Sequence, residues 1–175
     1  MDTLVDFLTW AWARHHNPLS WYIRPLFILP FCYFAYHKSV RGMLWTVVAV
    51  TSSMFWFPAP ATPDARAVEF LEMERRWVLG PLTPAQLVLT ALIPVWFLSL
   101  AAALRRRLWA AAAGVIVAGT ALKVAWSFYL GGASAWIIVP PVALGNAVVA
   151  GVLFYAYWRT RHPSIGLRTG NHFIG

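Results

Sequence analysis

Charge is scarce in this chain, and negative charge scarcest of all. Of 175 residues, 11% are charged and six are Asp or Glu, where a soluble domain carries roughly 25% charged residues. So few polar side chains argue against a water-soluble fold. Cysteine is nearly absent as well. Cys32 stands alone inside an apolar run, which excludes an intramolecular disulfide and any multi-cysteine metal site. Also missing are an H-E-x-x-H pair, a phosphate-binding glycine loop, a dinucleotide fingerprint, a serine nucleophile elbow, paired carboxylates within an apolar run and a histidine placed to ligate haem. No metal and no cofactor is therefore expected. No internal repeat is visible, and the formal charge of +8 comes in short clusters rather than along one polar face, so nucleic acid is not an expected partner.

What the chain has instead is apolar length. Hydrophobic residues make up 60% of it, and the mean hydropathy is +0.61. Five runs, at 19–36, 42–57, 87–104, 108–130 and 140–158, approach or reach the ~20 residues needed to cross a bilayer core of about 30 Å. The expected fold is an all-α polytopic helix bundle, with residues 1–175 forming a single integral membrane domain. Residues 1–13 (MDTLVDFLTWAWA) place Leu4, Phe7, Leu8, Ala11 and Trp12 on one helical face and Asp2, Asp6 and Thr9 opposite, the pattern of an interfacial amphipathic helix. The acidic start does not read as a signal peptide.

Between the second and third runs, 63–79 reads as an outer amphipathic helix. Thr62 is its expected N-cap with Pro63 at N1, Arg75 and Arg76 stand in the last turn, and Gly80-Pro81 end it. On a helical wheel Phe70, Leu71, Met73, Trp77 and Val78 form an apolar arc, and Glu74 falls within it. Glu72 and Arg76 are spaced as an i,i+4 pair. Trp21, Trp56, Trp77, Trp109, Tyr129, Trp136 and Trp158 fall near helix ends, as an interfacial aromatic belt requires.

Orientation follows from the connectors. Lys38, Arg41, Arg105, Arg106, Arg107, Arg159, Arg161 and Arg168 occupy alternate connectors and the tail with no acid among them, while all six acids fall on the other set. Positive connectors stay in the cytoplasm, so the expected location is the cytoplasmic (inner) membrane, N-terminus outside, with a basic cytoplasmic tail at 159–175 that holds anionic head groups.

Arg24 and Lys123 are the cations inside apolar runs, and no acid lies in any run to pair with them. A charge in hydrocarbon costs about 2.5–3.5 kcal/mol even on the lenient scale. Both stand close enough to the outer helix ends to snorkel. Alternatively both face inward, forming a cationic pocket with carbonyls freed by Pro25, Pro30 and Pro94, and Glu74 then pairs with one of them. Asn146 and the hydroxyls at Thr46, Thr51, Ser52 and Ser53 suit interhelical hydrogen bonds. Gly114 with Ala118, and Ala147 with Gly151, are small-xxx-small pairs suited to close helix approach.

Two functional expectations follow. The first is a protein that binds or transports an anionic or lipid-like ligand near the outer leaflet, or an accessory subunit of a membrane complex, with Arg24, Lys123, Glu74 and Asn146 as ligand contacts. The second is a membrane-embedded enzyme acting on a lipid or isoprenoid, with His15, His16 and Glu74 as acid and base. Expected partners are membrane lipids, including anionic head groups, and further copies of the chain or a larger complex.

Overall fold

In the computed structural model, which describes residues 2–161, secondary structure is helical throughout and no strand occurs among the described residues. The expected head-group role of the tail, with Arg168, falls on residues 162–175 and lies outside the described ones. Helix α1 spans Asp2–His15 and so carries Arg14 and His15 in its last turn. Helix α2, Leu19–Ile23, gives way to a 3-10 turn at Arg24–Phe27 before α3, Ile28–Tyr36. The run expected as one helix is thus interrupted. Pro25 has no N–H to donate to the Trp21 carbonyl, and its ring crowds that turn. Pro30 causes no break, because it is the third residue of α3, where N–H groups lack intrahelical acceptors in any case. Pro94 also sits inside a continuous helix.

Helix α4, Val40–Ser52, continues as a 3-10 turn over Ser53–Phe55. Its hydroxyls do not bridge helices as expected. Thr46 donates to the Gly42 carbonyl at 2.8 Å, and Thr51, Ser52 and Ser53 likewise donate to carbonyls three or four residues back, the cheapest way to satisfy a hydroxyl on an apolar helix. Helix α5 is Ala65–Leu79. Its N-cap is Asp64 rather than Thr62, because the Asp64 carboxylate accepts from the Arg66 N–H at 2.8 Å and stands at the positive end of the helix dipole. Glu72 meets Arg75, at 3.8 Å, instead of Arg76, whose Nε donates to the Glu72 carbonyl.

Helix α6, Pro84–Arg105, starts with a reciprocal capping box between Thr83 and Gln86, and the Gln86 side-chain amide also reaches the Trp77 carbonyl at the end of α5. Helix α7, Trp109–Gly131, ends where Gly132 takes φ +51°. A 3-10 segment, Gly132–Ile138, leads into α8, Val139–Arg161.

The helices have two distinct ends. At one, the Arg107 guanidinium lies 5.4 Å from the Tyr36 ring, and the Trp109 ring meets Tyr36 at 5.6 Å and Tyr157 at 6.3 Å. The C-terminal ends of α3, α6 and α8 therefore gather here with their basic residues. Around the middle and this end, Phe31, Ala35, Leu100, Leu104, Ile116 and Val149 form a core. At the other end α5 packs on the Gly132–Ile138 segment and on α7 through Phe70, Leu71, Ala135 and Ile138. Helix α1 docks there too, its Phe7 and Trp10 rings 6.1 and 5.8 Å from Phe55 and its Arg14 donating to the Phe57 carbonyl at 3.3 Å. Trp21, expected in an interfacial belt, is buried in this second core, held by a 3.0 Å bond to the His15 carbonyl.

Two stretches, Pro84–Arg105 and Trp109–Arg161 (α7 and α8 with the segment joining them), are long and apolar enough to cross a membrane, and 22% of the most apolar window of each is buried inside the protein. Their outer faces are apolar: Leu98, Val117 and Phe154 are 69%, 68% and 68% exposed. A soluble core helix would hide such side chains, whereas contiguous apolar surface fits contact with a membrane. The glycines that allow close approach are not those of the expected small-residue pairs. A side chain at Gly114 or Gly151 would meet nothing, whereas one at Gly42, Gly119 or Gly145 would collide with Phe34, Trp96 or Pro25.

Candidate functional site

Arg24, Lys123 and Glu74 come together in one cavity of about 280 Å³, lined by residues from each of α1 to α8. The local folding explains the convergence. The Pro25 break turns Arg24 out of the regular helix register, and α5 packs its apolar arc on α7 and the Gly132–Ile138 segment, which carries Glu74 inward with Phe70 and Leu71. The Lys123 ammonium donates to Glu74 Oε1 at 2.8 Å, and the same ammonium lies 5.9 Å from the face of Phe70. This pair is partly open, with side chains 54% and 29% exposed.

Arg24 has a different partner, one that its spacing in the chain does not announce. Arg24 Nη2 donates to His15 Nδ1 at 3.0 Å, while Nη1 is 3.5 Å from His15 Nε2. A neutral imidazole offers a single ring acceptor, so a bond to Nδ1 leaves the ring proton on Nε2, and Nη1 finds no acceptor there. Burial, and next the Arg24 guanidinium, hold the His15 pKa far below its usual value, at about 3. Neutral His15 can therefore accept from arginine without neutralising it. Arg24 Nε is buried and has no hydrogen-bond partner. Arg24 lines the cavity and His15 leaves part of its guanidinium unpaired, and the cluster of Arg24, Lys123, Glu74 and neutral His15 carries one net positive charge.

A second cavity of about 470 Å³ adjoins the first, and Pro25, Ile28, Glu74, Trp96, Lys123 and Val142 line both. Beyond that shared wall its lining is mostly apolar, from Trp77, Leu89, Leu92, Leu122 and Trp126. Asn146 lines it, accepting from Thr120 at 3.1 Å and donating to the Val142 carbonyl at 2.8 Å, so α7 and α8 are joined by a satisfied polar link. Ser127 lines it as well, and its Oγ is buried with no partner. Trp96, in the shared wall, is held by a 2.8 Å bond from its indole N–H to the Val115 carbonyl and rests over Gly119.

His16, paired with His15 in the sequence reading, lines neither cavity; its Nδ1 is 2.9 Å from the Trp12 carbonyl in its own helix. Among the described residues no three His, Cys, Asp or Glu side chains are grouped to hold a metal ion. Neither Arg24 nor Lys123 is a lone snorkelling cation, since each has a specific side-chain partner. Trp96, Gly119 and Thr120 were not picked out from the sequence. Their signal is the spacing of Gly119 and Lys123, four residues apart on one helical face. Compared with known protein families, with curated proteins and with solved structures, the chain matches none.

Proposed function

We propose that this chain is a multi-pass protein of the cytoplasmic membrane, with five spans and its N-terminus outside, that binds an anionic or lipid-like ligand near the outer leaflet and serves as a carrier or as the binding subunit of a larger membrane complex. The observation that carries the reading is the meeting of Arg24, Lys123 and Glu74 in one cavity with an excess positive charge and unused guanidinium donors. In a poorly polarisable setting an unbalanced cation is costly, and an anion would supply the missing charge and accept the free N–H groups. Glu74 holds Lys123 in the absence of ligand. The multi-pass topology is supported by the gathering of the basic helix ends opposite α5 and its acids.

The test is anion retention by the purified full-length chain in lipid nanodiscs, with inorganic phosphate as the probe. Arg24→Gln and Lys123→Gln each remove a charge-assisted contact of about 1.5–3 kcal/mol, so each is expected to weaken phosphate binding about tenfold or more. Glu74→Gln removes the competing carboxylate and should tighten it. Equal binding by all four proteins, or none by the unsubstituted one, would refute the reading.

A further inference from the structure

The two cavities share a wall made partly of the Lys123–Glu74 ion pair, and they differ in kind. One holds Arg24 and His15 among apolar walls; the other is larger and chiefly aromatic and aliphatic. Deepening the reading above, and resting on it, we infer that they form one bipartite site for a single-chain anionic amphiphile, with its phosphate or carboxylate head at Arg24 and Lys123 and its hydrocarbon tail along Leu89, Leu92 and Leu122. A free inorganic anion would leave the second chamber unused. A neutral lipid would leave the Arg24 donors unmet.

The dimensions agree, since the two chambers of about 280 and 470 Å³ together fall within the roughly 300–1,000 Å³ that ligand pockets span. The partition is built rather than incidental. Trp96 keeps its place through the Val115 bond and the bare Gly119 backbone, and Pro25 is seated against Gly145 in the same way. These two glycines set how closely Trp96 and Pro25, which line both cavities, approach α7 and α8. Leu89 and Leu92, on α6, line the second cavity and not the first, so they report on the tail.

The experiment measures binding of ethyl, hexyl and dodecyl phosphate, alkyl carboxylates of matching length, dodecyltrimethylammonium and inorganic phosphate to the full-length chain in nanodiscs of neutral lipid, by native mass spectrometry. Burying a methylene favours binding by about fourfold, so affinity should climb steeply from ethyl to dodecyl phosphate, and the carboxylate series will show which head is preferred. Leu92→Trp, and independently Leu89→Trp, should flatten the chain-length dependence while leaving inorganic phosphate binding unchanged. Arg24→Gln should lower the whole anionic series and leave the cationic amphiphile untouched. If phosphate binds but chain length has no effect, the tail chamber is refuted and the anion site stands. Equal binding of dodecyltrimethylammonium and dodecyl phosphate would also overturn the inference, revealing only an apolar surface. Failure of every anion, phosphate included, removes the underlying reading as well.

Discussion

At the scale of single residues, the site turns on a histidine that must stay neutral. With the His15 pKa at about 3 in the folded protein against an ordinary 6.5, the folded state binds fewer protons than the unfolded chain between those values. Stability linked to His15 is thus complete above about pH 6.5 and is lost as pH falls towards 3. His15→Gln is expected to flatten the fall in thermal unfolding temperature across that interval, measured on detergent-solubilised protein; an unchanged slope would mean that the ring is not held neutral. Part of this site was legible beforehand. The inward position of Glu74 follows from the wheel, because an acid within an apolar arc has to face what the arc faces. The Arg24–His15 bond was not legible, since it depends on the turn between α1 and α2 at Asn17-Pro18 and on Pro25 breaking the helix, and spacing alone reports neither.

At the scale of elements, helix ends and helix contacts divide in the same way. Lys38 and Arg107 both take φ +58° just past α3 and α6, where Ser39 N–H donates to the Phe34 carbonyl at 2.8 Å and Leu108 N–H to the Ala103 carbonyl at 2.9 Å. These are Schellman closures, usually made by glycine because a side chain is strained there. Arg107→Gly should accordingly stabilise the protein by about 1 kcal/mol in chemical denaturation; destabilisation would show that the Arg107–Tyr36 contact outweighs the strain. Gly119→Ala is expected to have the opposite sign. It drives a methyl into Trp96, costing about 1–3 kcal/mol, and should quench or shift tryptophan emission. Helix positions were largely readable from apolar runs, with ends displaced by a few residues. The packing glycines were misread, because a small-xxx-small pattern marks a face on which helices can approach without saying whether a neighbour lies there.

For the whole molecule, the same asymmetry of charge that sorts the connectors in the sequence reappears in space. The run Arg105 to Arg107 precedes α7, and Glu74 is bonded to Lys123 in the far half of that helix, which at about 1.5 Å per residue is roughly as long as a bilayer core is thick. In the proposed orientation a site near the α5 end falls on the outer side, with the Phe31–Leu104 core between it and the basic helix ends. The most direct test of that arrangement is cysteine accessibility in intact cells. In a Cys32→Ser background, Glu69→Cys and Arg106→Cys place a thiol at exposed positions of α5 and of the basic connector. A membrane-impermeant maleimide should label position 69 in intact cells and position 106 only after permeabilisation. Labelling of both from the same side would contradict the account, its orientation and the placement of its site together.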